Sequence, residues 1–116
     1  MPHFIIQTNT KAIQSADAKT ILKVVHKQAV SSGLFDENDI KVRLVPFEKS
    51  LVAGKADNDF VHVFAYIMGG RSTAQKSKLS EAIVRKLSEV LKGVENIAMN
   101  VYDFEPETYF NRKMIG

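Results

Sequence analysis

The sequence has 116 residues, of which 45% are hydrophobic and 25% charged, as is usual for one soluble globular domain. It has no cysteine, and its three histidines lack metal-ligand spacing, so we expect no disulfide, no thiol nucleophile and no zinc cluster. The formal net charge is +3, with Lys and Arg interspersed among Asp and Glu. This balance disfavours a nucleic-acid surface but suits a small anionic ligand.

Apolar runs in the sequence are short. None approaches the roughly 20 residues that a bilayer-spanning helix requires, and no charged segment precedes the first apolar residues. We therefore expect a cytoplasmic protein with no membrane partner.

The first half of the sequence predicts a strand, a helix and a second strand. In chain order, their expected spans are 3–8, 15–32 and 40–46. Ser15 is the expected helix N-cap, and Asp17 adds a negative charge to the first turn. Gly33 is the expected stop of the helix. Residues 9–14 are expected to form a loop.

The second half repeats this order after a connection at residues 48–59. The run from Phe60 to Met68 is the strongest predicted strand. Ser72 and Gln75 have the spacing of a capping box, which opens a helix that ends at Gly93. A fourth strand is expected at 97–104, followed by a polar and aromatic tail.

The two halves are spaced alike. Ser15 and Ser72 are 57 positions apart, as are Ile40 and Ile97. Each half, 2–47 and 60–104, predicts a βαβ unit with parallel strands and a right-handed crossover. We therefore expect a single α+β domain over residues 1–116, with a four-stranded mixed sheet and two helices on one face.

One face of that sheet is expected to lack a helical cover. The strand at 60–68 is apolar on both faces apart from His62, which indicates a central position. At such a position, a histidine is more often a satisfied core residue than a catalyst. The uncovered face is too apolar to meet water, so it predicts a partner subunit.

Three cations could bind an anionic ligand. Lys41 and Arg43 are two residues apart on one strand and so project from one face, where they could equally be a solvated strand edge. Arg71 lies between Gly69-Gly70 and the helix cap, where a guanidinium and helix N-terminal amides suit a carboxylate. It could equally be a polar turn residue.

Pro2 could supply a base. The residue after the initiator is small enough for Met1 to be removed, which would leave a secondary amine on a rigid ring at the start of a strand. Such an amine takes and returns protons readily. Most Met-Pro starts have no such meaning, since proline makes up about 5% of residues.

Several features, in their order and spacing, resemble the tautomerase superfamily. They are the start Met-Pro-His-Phe-Ile-Ile, the two βαβ units, the turn Gly-Gly-Arg-Ser and the tail Pro-Glu-Thr-Tyr-Phe-Asn-Arg-Lys. Within the superfamily, the resemblance is greatest to the 5-carboxymethyl-2-hydroxymuconate isomerase family, and it covers nearly the whole chain.

The resemblance implies a cofactor-independent isomerase of aromatic catabolism that forms a homotrimer. It implies that Pro2 is the general base and acid and that Arg71 binds a substrate carboxylate. The second carboxylate-binding arginine of the family falls on Lys41, which keeps the charge but lacks the planar fork of a guanidinium. Arg43, on the same face, is the alternative. The expected substrate is a 2-hydroxy-dienoate or an enol carboxylic acid.

Two alternatives stay open at this point. The lysine at position 41 favours a tautomerase that acts on another 2-oxo acid. A non-catalytic ligand-binding or oligomerisation domain would make Pro2 incidental.

Overall fold

The computed structural model describes residues 1–116, except for the side chain of Ser15. Its strands are β1 His3–Asn9, β2 Lys41–Phe47, β3 Phe60–Met68 and β4 Asn96–Phe104. Its α-helices are α1 Ala18–Ser31 and α2 Thr73–Val90. Short 3₁₀ turns span Ala12–Ser15, Glu37–Asp39 and Pro106–Thr108.

The strands form a mixed sheet in the order β2-β1-β3-β4. The pairs β1–β2 and β3–β4 are parallel, and β1–β3 is antiparallel. This is the predicted arrangement of two βαβ units, with β3 in a central position. Because β1 and β3 run in opposite directions, the starts of β1 and β2 lie at the same end of the sheet as the end of β3. That end holds Pro2 and the turn before α2.

Both helices pack on one face of the sheet. Their inward side chains meet alternate residues of the central strands in a single core, whose fully buried members include Phe4, Ile6, Val63, Ala65, Ile21, Val25, Ile83 and Leu87. Each large aliphatic or aromatic side chain buried in this way contributes about 1.5–3 kcal/mol relative to an exposed one. Because the core includes Phe4 of β1 and Ala65 of β3, it holds the end of the sheet next to Pro2 against the helices.

The other side of the sheet, which we call the open face, carries the remaining alternate residues. Tyr66 and Tyr102 stack there with ring centroids 5.5 Å apart, and they are 40% and 45% exposed. His62 stacks on Phe64 at 4.3 Å, and its Nε2 bonds to Asn100 Oδ1 at 2.6 Å. His62 is thus hydrogen-bonded, as expected of a structural histidine, but it lies on the open face rather than in the core.

The chain between β1 and α1 differs from the prediction. The expected N-cap Ser15 belongs to the 3₁₀ turn, and its side chain lies outside the described part of the chain. The N-cap is Asp17, whose carboxylate accepts a hydrogen bond from Thr20 N at 2.7 Å. Serine and aspartate cap helices about equally well, so residue preference alone did not choose between positions two residues apart.

The loop predicted at 9–14 is also partly wrong. β1 continues through Asn9, because the Asn9 side chain accepts a hydrogen bond from Phe60 N and donates one to Asp59. The second helix begins as predicted, with the capping box between Ser72 and Gln75 formed in both directions.

Among the residues that the structure describes, no helix is long and apolar enough to cross a bilayer. The cytoplasmic location stays a prediction from the sequence.

Candidate functional site

A cavity of about 190 Å³ opens at the sheet end where β1 begins. We call it the Pro2 cavity, and its lining consists of Met1, Pro2, Leu34, Phe35, Asp36, Asp39, Met68 and Arg71. Pro2 is buried, and its carbonyl accepts a hydrogen bond from Lys41 N at 3.1 Å, which holds the start of β1 against β2. Pro2 and Arg71, two of the four candidate site residues, therefore meet at one cavity.

Arg71 reaches the cavity through a glycine turn. Gly70 has a φ of 126°, a backbone conformation that residues other than glycine rarely adopt. This conformation turns the chain sharply after the end of β3. The Arg71 guanidinium donates to Leu34 O at 2.6 Å and to Met68 O at 3.3 Å. It also lies 5.2 Å from the Phe35 ring centroid. One of its five N–H groups thus bonds to the end of β3 and another to the connection after α1, which leaves donors for a ligand.

The chain terminus lies beside two carboxylates. The Met1 ammonium donates to Asp39 O at 2.6 Å and lies 3.9 Å from Asp39 Oδ2. Burial lowers the pKa of this amine; Lys41 and Arg71 act in the same direction, whereas Asp39 and Asp36 oppose them. While Met1 is attached, the Pro2 nitrogen is a tertiary amide without basicity.

Lys41 and Arg43 lie on the open face of β2 and are exposed. Neither lines the Pro2 cavity. Lys41 is the nearer of the two, because its Nζ donates to Asp39 O at 3.0 Å, the carbonyl that the Met1 ammonium also contacts. Arg43 instead donates from Nη1 to His3 Nδ1 at 3.2 Å.

His3 was not expected to take part in the site. Because a guanidinium has no acceptor, the contact with Arg43 requires an unprotonated Nδ1 and hence a neutral imidazole. Burial lowers the pKa of His3, and Arg43, Lys41 and the chain terminus lower it further. His3 therefore lies beside the cations Lys41 and Arg43 on the open face, and as a neutral imidazole it adds no charge to theirs.

We expect this histidine to make the protein less stable in acid. Its pKa is lower in the folded chain than in the unfolded chain, where it is about 6.5, so the unfolded state takes up the proton first as the pH falls. Its contribution to the free energy of unfolding is therefore present above about pH 6.5 and is lost below it. Urea unfolding of wild type and His3→Gln at several pH values measures it. Equal losses of stability in the two proteins on acidification would contradict the expectation.

Asp36 and Asp39 were also missed as residues of the site. Their only signal in the sequence is a run of acidic and amide residues after Phe35, which is typical of a turn. Their position beside Pro2 follows from the pairing of β1 with β2, since His3 lies opposite Lys41.

The fold is shared with solved proteins over nearly the whole chain. A 5-carboxymethyl-2-hydroxymuconate isomerase from Deinococcus radiodurans R1 superposes with a TM-score of 0.83 at 14% identity, covering 96% of this chain and 88% of that one. A fused 4-OT wild type symmetric trimer gives 0.78 at 19% identity, with 97% and 94% covered. A 5-carboxymethyl-2-hydroxymuconate delta-isomerase gives 0.75 at 15% identity, with 97% and 87% covered.

These similarities define a tautomerase-like fold, so the fold class predicted from the sequence is confirmed. No curated protein matches the sequence. The sequence model of the family "5-carboxymethyl-2-hydroxymuconate isomerase" matches residues 2–113. The chain belongs to this family, and the resemblance stated above is confirmed.

Proposed function

We propose that the protein is a cofactor-independent isomerase that moves a proton within 2-hydroxy-dienoates or enol carboxylic acids. Pro2, freed by removal of Met1, is the general base and acid. The observation that carries the proposal is the meeting of Pro2 and Arg71 at one cavity in a chain of this family. The direct test is an enol assay on chains with and without Met1, with the N-terminus of each verified by mass spectrometry.

The proposed reaction is a proton transfer without any net change in composition. The neutral Pro2 amine takes the proton of the substrate hydroxyl, and the oxygen lone pair becomes the second bond of a carbonyl. The electrons of the neighbouring double bond shift along the diene, and a carbon at its far end takes the proton back from the Pro2 ammonium. An acid and base with a pKa near the working pH performs both transfers best.

The surroundings of the terminus support this role. At the Met1 amine next to Pro2, burial disfavours the charged form and outweighs the opposing charges of Asp39 and Asp36, while Lys41 and Arg71 add to the effect of burial. Arg71 is proposed to bind the carboxylate next to the reacting enol and to stabilise the negative charge that develops during transfer. Lys41 and Arg43 are proposed to contribute positive charge from the adjoining open face.

We further propose that residues 1–116 form one domain and that three copies associate through their open faces. The support for one domain is the single core shared by both βαβ units. The support for association is the row of half-exposed aromatic side chains on the open face, which would lose contact with water in an assembly. Two similar solved proteins are described as symmetric trimers.

A charge on the open face is expected to dissociate the assembly. Tyr102→Glu places a carboxylate within the aromatic stack formed with Phe64 and Tyr66, and burying it between subunits costs several kcal/mol. We expect sedimentation of wild type at about three times the 13.0 kDa chain mass and of the variant near the mass of one chain. The control is Glu81→Gln, which changes a charge on the outer face of α2. A stable wild-type monomer at micromolar concentration would contradict the proposal.

A further inference from the structure

The Arg71 guanidinium is held by an aromatic ring as well as by its two hydrogen bonds. The centroid of the Phe35 ring lies 5.2 Å from Cζ of Arg71, and the cation sits over the ring. A cation within about 6 Å of a ring centroid is attracted by the negative face of the ring. Phe35 therefore adds, to the bonds with Leu34 O and Met68 O, a contact that depends on the positive charge of Arg71.

Phe35 is itself fixed by the core. Its ring meets the ring of Phe4 edge to face, with centroids 6.0 Å apart and planes at 80°, which is a favoured geometry for aromatic pairs. Phe4 is fully buried in β1, two positions after Pro2. The contacts from Phe4 to Phe35 and from Phe35 to Arg71 thus join the strand that carries the proposed base to the residue proposed to bind the carboxylate.

A fixed guanidinium binds a carboxylate at a lower entropic cost. The arginine side chain is long, and it loses rotational freedom when a ligand immobilises it. Contacts that already hold Arg71 in the free protein reduce this loss. Because only one N–H of Nη1 and one of Nη2 are used by main-chain carbonyls, three donors remain for a carboxylate at the Pro2 cavity.

We infer that Phe35 is a positioning residue that holds the Arg71 guanidinium at the Pro2 cavity through the face of its ring. The inference rests on the proposed function, in which Arg71 binds the carboxylate next to the reacting enol. Phe35 also lines the cavity, so a direct contact between its ring and the substrate is the alternative that an experiment must separate.

The test is a double-mutant cycle on the processed chain, which begins at Pro2. The four proteins are wild type, Phe35→Leu, Arg71→Gln and the double variant, and kcat/KM is measured with phenylenolpyruvate. In the presence of Arg71 we expect Phe35→Leu to lower kcat/KM about three- to tenfold, mainly through KM. In the Arg71→Gln background the same change should alter kcat/KM less than about twofold, because the ring then has no guanidinium to hold.

A fluorinated ring separates the charge of the ring face from its shape. Pentafluorophenylalanine at position 35 nearly keeps the size of the ring, but its fluorines withdraw electrons from the face that attracts the cation. We expect this replacement to lower kcat/KM as Phe35→Leu does, and only while Arg71 is present. Phe35→Tyr keeps an electron-rich face and should stay within about twofold of wild type.

Leu22→Ala is the matched control for lost packing. Like Phe35→Leu, it removes three carbon atoms from a partly buried side chain that packs against the core. Leu22 lies in the second turn of α1, whereas the connection to Phe35 follows the other end of that helix. Leu22→Ala should leave kcat/KM unchanged, and circular dichroism should confirm that all the variants are folded.

The outcomes separate this inference from the proposed function. A loss that Phe35→Leu and the fluorinated ring share, and that disappears in the Arg71→Gln background, supports the inference. Equal losses in both backgrounds, or full activity of the fluorinated chain or of Phe35→Leu, overturn it while the isomerase activity stands. Full activity of Arg71→Gln overturns the binding role of Arg71 and the inference with it. No turnover by a verified processed wild-type chain overturns the proposed function as well.

Discussion

A chain that begins at Pro2 is expected to isomerise an enol carboxylic acid about 10²–10⁴ times faster than a chain that retains Met1, the usual range for loss of a general base. The reason is chemical: a peptide bond converts the Pro2 nitrogen into an amide that cannot take a proton. The measurement is the rate of ketonisation of phenylenolpyruvate by the two chains, each verified by mass spectrometry.

The controls exclude a general loss of structure. β1 begins at His3, and the bond between Pro2 O and Lys41 N does not involve Met1, so circular dichroism and sedimentation should be unchanged. Pro2→Ala with Met1 removed keeps a primary amine at the cavity and should retain part of the activity with a shifted pH profile. Equal rates for the chains with and without Met1 would show that Pro2 is not the base.

Replacement of Arg71 is expected to have the next largest effect. Arg71→Ala removes a charge-assisted hydrogen bond to the substrate carboxylate and should lower kcat/KM about ten- to hundredfold. The variant also loses the bonds to Leu34 O and Met68 O, so part of the loss could come from the turn. Arg71→Gln keeps N–H donors for the turn but lacks the charge, and it should lose nearly as much activity.

Arg85→Ala is the matched control for Arg71→Ala. Arg85 lies on the exposed side of α2 with a 74% exposed side chain, and its partner is Glu81. The substitution Arg85→Ala removes the same charge far from the Pro2 cavity and should leave kcat/KM unchanged. Full activity of Arg71→Gln would mean that Arg71 is a turn residue only.

The elements of the fold were predictable because their signals are local. The run of residues that is apolar on both faces apart from His62 predicted the central strand β3, and the spacing of Ser72 and Gln75 predicted the start of α2. The start of α1 was not predictable with the same certainty, because Ser15 and Asp17 are both good N-caps.

The composition of the Pro2 cavity was only half predictable. Pro2 and Arg71 were found through their local motifs. Asp39 contacts the terminus across 38 positions of sequence, and Leu34 receives the Arg71 bond across 37. Such contacts depend on how the connection after α1 crosses the end of the sheet, and no local pattern encodes that path. The same holds for His3, whose partner Arg43 is set by strand register.

The amine of Pro2 itself provides the most direct test. Its pKa can be measured by nuclear magnetic resonance on processed protein whose prolines carry the heavy isotope of nitrogen. This value is compared with the pKa obtained from the pH dependence of kcat/KM. Burial, Lys41 and Arg71 lower the pKa of the Met1 amine at this place, and the account predicts that the Pro2 amine is affected in the same direction. It therefore predicts one shared pKa, lower than that of the Pro2 amine in the unfolded chain, with activity rising as the amine becomes neutral. A kinetic pKa that differs from that of the amine would contradict the assignment of Pro2 as the base.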